Sequence, residues 1–281
     1  MNKWILFGLL ASIGILIVVF GSKKPNIVET PKALSLLEPT STPTPKTYQT
    51  IEHYLPPTIP NLPSYTLIFI GDSMTESLGE NFDALRVDLK KYYPDKVFGL
   101  FNYGFGSTNI LSTDQRLNFE SIYQGKTLPA ILGRQFDVVL IESFGNNPLS
   151  EYSLEEGLQK QTTALDQIVA QIVGTHPNSL VVFVATIAPS QAYYGKGSVD
   201  LSAIARNKWA NERRAYIENH INYAKRHNIP LINVYEKSID KDGLTLIKYL
   251  NKSNYIHPSN EGVNLISQMI ADYFYKNSVL R

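Results

Sequence analysis

The sequence predicts an α/β fold built on a parallel sheet covered on both faces. Three observations lead there. Short apolar runs rich in β-branched and aromatic residues recur from Tyr65 onward. Segments of helical period separate them. Polar and glycine-rich stretches fall just after the runs, where open α/β sheets carry their ligand sites. Strands alternating with helices need crossover connections, and these place helices over both faces of a parallel sheet.

The elements follow in order. TLIFI (66–70), closed by Gly71, reads as a buried strand. Leu78, Phe82, Leu85, Leu89 and Tyr92 keep helical spacing, and Pro94 ends that segment. KVFGLFNYG (96–104) and FDVVLIESF (136–144) are the second and third strands. Ser153 and Glu156 form a capping box ahead of Leu158, Leu165, Ile168 and Ile172, with Gly174 and Pro177 closing the helix. LVVFVATIA (180–188) is apolar on both faces and reads as the central strand. A long polar helix is expected over 203–227, and its basic residues Arg206, Lys208, Arg213 and Arg214 read as a solvated face. PLINVY (230–235) is the fifth strand. The last helix starts near Ser259 or Asn260 and carries Ile266, Ile270, Tyr273 and Phe274.

Before this folded part, expected over 64–281, the chain changes character twice. Trp4–Phe20 is an uncharged apolar run of 17 residues. That is near the lower limit of about 17 for a membrane-spanning helix and long for the apolar core of a cleaved signal. Residues 1–24 are therefore read as a signal anchor, in preference to a signal peptide cleaved after Gly21. Either export reading places the rest of the chain outside the cytoplasm, membrane-anchored or secreted. Lysines flank both ends of the run (Lys3, Lys23, Lys24), so charge does not fix the orientation. Residues 25–63 hold nine of the 16 prolines, including PTSTPTPK at 39–46, and read as a Pro/Thr-rich linker. The later part, IEHYLPPTIPNLP, is more apolar and is expected to lie against the domain.

Composition narrows the chemistry. With 43% hydrophobic and 18% charged residues, the chain is globular in type. A net charge of +1 supplies no basic field, so nucleic acid is not expected as a partner. The absence of cysteine excludes disulfides, a thiol nucleophile and Cys-ligated zinc.

The strand ends carry the functional signal. Gly71-Asp72-Ser73-Met74-Thr75-Glu76 follows the first strand, and Asn102-Tyr103-Gly104-Phe105-Gly106-Ser107-Thr108-Asn109 the second. Phe144-Gly145-Asn146-Asn147-Pro148 follows the third, and Asn254-Tyr255-Ile256-His257-Pro258-Ser259 comes after the fifth. Together they supply a hydroxyl, glycine amides, side-chain amides and an imidazole. These are the parts of an acyl-transfer site: nucleophile, oxyanion donors and base.

These four segments resemble the blocks of the SGNH hydrolases, the GDSL lipase/esterase family. The resemblance covers about residues 65–275. It implies a three-layer α/β/α fold of flavodoxin-like type and an ester-hydrolysing serine enzyme that needs no metal or organic cofactor. IGDSMTE is similar to the first block, making Ser73 the nucleophile. NYGFGST resembles the second, with Gly106, in preference to Gly104, lending its amide to the oxyanion hole. FGNN resembles the third, making Asn146 the side-chain oxyanion donor, with Asn147 where an aspartate is usual. NYIHPSNEG resembles the last, with His257 as base. The oxyanion hole is thus expected from Ser73, Gly106 and Asn146. Asp72 is expected to be structural, accepting N–H bonds in the turn.

One departure stands out. Asn254 occupies the position of the aspartate that orients the histidine. Three outcomes stay open: a Ser-His pair with Asn254 as amide partner, another acid (Asp240, Asp242, Glu236 or Glu261) reaching His257, or a domain without catalysis. The expected substrate is a small ester or an acylated glycan, O-acetyl being one acyl group that fits an envelope setting. The same site would serve an O-acyltransferase if a sugar hydroxyl replaced water, and a non-catalytic binding domain is the third possibility. The other histidines, His53, His176, His220 and His227, are read as solvated or capping.

Overall fold

The computed structural model describes residues 51–281. The Trp4–Phe20 run and most of the Pro/Thr-rich linker lie outside them. Among the described residues no helix is long and apolar enough to cross a membrane.

The chain runs β1 (Ser64–Gly71), α1 (Ser73–Glu76), α2 (Asp83–Tyr92), β2 (Val97–Gly104), α3 (Thr113–Asn118), β3 (Ser121–Tyr123), β4 (Lys126–Leu128), β5 (Val138–Glu142), α4 (Leu154–Thr175), β6 (Leu180–Ala185), α5 (Ala203–Arg226), β7 (Leu231–Asn233), α6 (Val234–Lys237) and α7 (Asn260–Lys276). Five strands form one sheet in the order β2-β1-β5-β6-β7, every pair parallel. Counted along the sheet's own strands this is the order 2-1-3-4-5 of flavodoxin-like folds. The chain winds one way from β1 to β2 and the other way from β5 to β7. Right-handed crossovers therefore put α2 on one face and α4 and α5 on the other. In keeping with this, α2 packs on α7 and α4 packs on α5.

Burial follows strand position. Every residue of β5 and β6 is buried, as befits a central pair that is apolar but for Glu142. The edge strand β2 begins with exposed Val97. Gly71 and Gly104 stand opposite one another at the carboxyl ends of β1 and β2. A methyl group on Gly71 would lie 2.0 Å from Thr75 Oγ1, and one on Gly104 would lie 2.4 Å from the Glu76 nitrogen. Only glycine lets α1 sit this close to both strand ends.

The apolar end of the linker folds onto the sheet, as its composition predicts. The Tyr54 N–H donates to the His227 carbonyl at 2.7 Å, and the Tyr54 hydroxyl accepts from Val181 N–H at 2.9 Å, where β6 has no β7 partner. Ile59 is buried.

Several local expectations change. The fifth strand stops at Asn233, whose side chain accepts from Glu236 N–H and opens α6, so Val234 and Tyr235 are helical. The fourth strand stops at Ala185. The basic face of α5 is only partly solvated. Arg213 is buried between the rings of Tyr194 and Trp209, while Arg214 bonds the carbonyls of Pro189 and Gly243. His220 is not solvated at all: it is fully buried and stacks on Phe183 with centroids 4.2 Å apart. His176 and His227 do end helices α4 and α5.

Candidate active site

The strand order reverses between β1 and β5, which leaves a crevice at their carboxyl ends. The GDS turn leaves β1 there and the FGNN loop leaves β5 there.

Asp72 joins the two. Its Oδ1 accepts from Met74 N–H at 2.8 Å, capping α1, and its Oδ2 accepts from the Asn147 side-chain amide at 2.9 Å. This is the structural role expected of Asp72, and it explains the asparagine at 147. Asp72 is fully buried and already neighbours Glu142, so a second carboxylate at 147 would repel it where an amide donates to it. Burial raises the Asp72 carboxyl above its ordinary range, opposed by the Met74 N–H, the Asn147 amide, Glu142 and the charge of His257. Burial and the Asp72 charge raise Glu142 well above the usual carboxylate range.

Ser73 is half-buried as the first residue of α1, where a helix leaves its N–H without an intrahelical acceptor. Asn146 is 6% exposed, and among the described residues neither its Nδ2 nor its Oδ1 has a hydrogen-bond partner. A buried amide with both ends unmet costs stability, of order 1–3 kcal/mol per orphaned group. Such a cost persists where a ligand is to be met. Three backbones are bent into the left-handed region in these loops: Ser107 (φ 59°) after β2, Phe144 (φ 53°) after β5 and Tyr255 (φ 50°) beside the histidine. Strain of this sort gathers at functional sites.

Gly106 has a different setting from the one expected. Its N–H donates to the Tyr123 hydroxyl at 2.7 Å, and Tyr123 in turn donates to Glu76 Oε1 at 2.9 Å. The Tyr123 ring stacks on Phe105 at 4.2 Å and 8°. Gly104 N–H is also engaged, by the Asn102 side chain at 2.8 Å. An oxyanion using the Gly106 amide has to displace the Tyr123 hydroxyl.

His257 rides on a closed loop. Leu250 bridges Pro258, and Asn251 N–H donates to the His257 carbonyl at 2.8 Å. It lies near enough to Asp72, next to Ser73, for an imidazolium there to favour the Asp72 carboxylate. Among the described residues Ser73 Oγ makes no hydrogen bond to His257; such pairs often tighten only around substrate. The Asn254 side chain meets His257 Nδ1 at 3.1 Å through its Nδ2, while its Oδ1 accepts from the N–H groups of Ile256 (2.9 Å) and His257 (3.1 Å). The other acids considered are engaged locally. Asp240 accepts from Asp242 and Leu244 N–H, and Glu236 pairs with Asn233. Glu261 is lowered by its own backbone N–H and by Ser259.

One site residue is invisible to motif reading. Arg116, on the short helix α3, is 1% exposed. Its Nη1 donates to the Gly71 and Tyr103 carbonyls, both at 2.7 Å, and its Nη2 donates to Ser112 Oγ at 2.7 Å. Its guanidinium lies 4.8 Å from the Phe105 ring centre and 5.3 Å from that of Phe144. It therefore ties the GDS turn to the loops after β2 and β5. Burial lowers its pKa to about 10, against the charges of Asp72 and Glu142.

Solved structures with this fold are known. The chain superposes on a GDSL-like protein from Parabacteroides merdae with a TM-score of 0.56 and 14% identity, covering 79% of this chain and 100% of that one. An acetyl xylan esterase gives 0.53 and 16%, covering 75% and 98%. The lipase/acylhydrolase from Enterococcus faecalis gives 0.50 and 16%, covering 76% and 96%. No protein-family model and no curated protein matches the chain. The chain has the SGNH hydrolase fold, with the first three predicted blocks at the carboxyl ends of β1, β2 and β5.

Proposed function

We propose that the chain is a serine esterase that removes O-acyl groups outside the cytoplasm through an acyl-Ser73 intermediate. The observation that carries the reading is the buried, unpartnered amide of Asn146 on the loop tied to Asp72, beside Ser73. The Ser73 oxygen adds to the ester carbonyl while its proton passes to His257 Nε2. The oxyanion is held by the Asn146 amide and the Ser73 N–H, with the Gly106 N–H joining once Tyr123 yields. His257 returns the proton to the leaving alcohol. Water then attacks the acyl-enzyme, giving its proton to His257, which passes it to the departing Ser73 oxygen as the free acid leaves. An acyl group on an envelope or environmental glycan suits the N-terminal apolar run and linker, and acetyl suits the fold shared with an acetyl xylan esterase. The runner-up is a non-catalytic acyl-binding domain, favoured by the donor face that Asn254 turns to His257.

The test is hydrolysis of para-nitrophenyl acetate, butyrate and octanoate by the full chain and by Ser73→Ala, with fluorophosphonate labelling of both. Turnover and labelling that vanish in Ser73→Ala are expected, with acetate turned over fastest. Background rates on all three esters with no labelling would select the binding domain.

A further inference from the structure

We infer that Asn254 is a positioning residue that holds the neutral His257 ring in the tautomer with its proton on Nε2, and so restrains the catalyst. This rests on the esterase reading above. Three hydrogen bonds determine the orientation of the Asn254 amide. Its oxygen receives two backbone N–H groups, from Ile256 and His257, and its nitrogen faces His257 Nδ1. Turning the amide over would bring its NH2 against both backbone donors, leaving them unmet and gaining a single contact at Nδ1. Two orphaned N–H groups cost more than one hydrogen bond returns, so the oxygen stays on the backbone. An aspartate has no such conflict. One carboxylate oxygen can take the backbone N–H groups while the other accepts from Nδ1–H.

The consequence is chemical. The Asn254 NH2 donates, so Nδ1 must accept and carries no proton. The one proton of the neutral ring then sits on Nε2, which has no lone pair left for the Ser73 hydrogen. Before Ser73 can be activated the ring must move its proton to Nδ1, where it meets the Asn254 NH2 donor to donor. In a serine protease the acid-to-amide change at this point costs about 10⁴ in turnover through the wrong tautomer. Restoring the carboxylate here reverses the conflict. Asn254→Asp keeps the shape and the acceptors for Ile256 and His257, and it frees Nε2.

The experiment pairs a structural readout with a kinetic one on the full chain. Nitrogen-15 histidine spectra, with His257 assigned by its loss in His257→Gln, report which ring nitrogen bears the proton. The wild type is expected to hold it on Nε2 and Asn254→Asp on Nδ1. In ester hydrolysis Asn254→Asp is expected to raise kcat about 10²–10⁴-fold with KM little changed, because the acid acts on the base as charge forms. A wild-type proton on Nδ1 overturns the tautomer assignment. An Asn254→Asp kcat equal to or below that of an active wild type overturns the restraint. If neither protein turns over any ester or takes fluorophosphonate, the esterase reading itself fails and the kinetic half falls with it. The spectra still decide the tautomer in that case.

Discussion

At the scale of single residues, the site combines groups already engaged with groups left free. Asp72, Gly104 and Gly106 have their partners, while Asn146 is buried with both ends of its amide unmet. Function and stability should therefore respond to Asn146 in opposite ways. Asn146→Ala removes the proposed oxyanion donor, and kcat on para-nitrophenyl acetate is expected to fall about 10²–10³-fold. The same change removes two orphaned polar atoms, so thermal stability should hold or rise slightly despite the small cavity created. Melting curves alongside the kinetics check this; a fall in both together would make Asn146 a packing residue. Residue types carried most of this site in the sequence, because a serine, a histidine and an amide after successive strands leave few other chemistries. What the sequence could not carry was hydrogen-bond direction. Nothing in NYGFGST says that Tyr123, 17 residues beyond Gly106, occupies its amide. Nothing in NYIHPS says which end of Asn254 faces the ring.

At the scale of elements, long periodic segments were legible and short ones were not. The five sheet strands and helices α4, α5 and α7 lie where their patterns placed them. Helices α1, α3 and α6 and the strands β3 and β4 are each six residues long or less, too short for a period to emerge. The buried face of α5 was also hidden, because it is built partly from Arg213 and His220 beside Ile217 and Ile221, so the helix reads as polar all round. Helix α3 matters most among the missed elements, since it presents Arg116 to the ends of β1 and β2. Arg116→Met keeps much of the volume and deletes the donors to Gly71, Tyr103 and Ser112. The Tyr103 and Gly71 carbonyls then lose the guanidinium, Gly71 keeping only Phe105 N–H, and Asp72 and Glu142 lose a neighbouring positive charge. A hydrogen bond to a charged group contributes about 1.5–3 kcal/mol. Chemical denaturation of Arg116→Met is expected to show a loss in that range, with a correspondingly lower midpoint. Arg116→Lys should recover only part of it, because one ammonium cannot span two strands and a loop.

At the scale of the whole molecule, buried titratable groups on two sides of the core pull the pH dependence of stability in opposite directions. His220 is enclosed against Phe183, and burial pushes its pKa from 6.5 down to about 3. The unfolded chain then binds the proton more readily, so this group's share of stability is present above about pH 6.5 and is lost as pH falls toward 3. The gap corresponds to about 5 kcal/mol once the pH is below both values. Asp72 and Glu142 act the other way. Their folded pKa values are raised by burial, so their share is full at and below the ordinary carboxylate range near pH 4 and is lost as pH rises through their folded values. Stability should therefore fall on the acid side because of His220 and be held down on the neutral and alkaline side by the carboxyl pair. His220→Phe, which preserves an aromatic ring against Phe183, is expected to flatten the acid limb of a melting-temperature profile between pH 4 and 7 and to leave the alkaline limb unchanged. Glu142→Gln removes one of the two raised carboxyls while keeping an acceptor for Ser143 Oγ, and it is expected to raise the melting temperature at pH 8 more than at pH 4. If His220→Phe instead shifted the whole profile by a constant, the ring would matter for packing alone. If Glu142→Gln gained no more at pH 8 than at pH 4, the Glu142 carboxyl would bind its proton equally in the folded and unfolded chain.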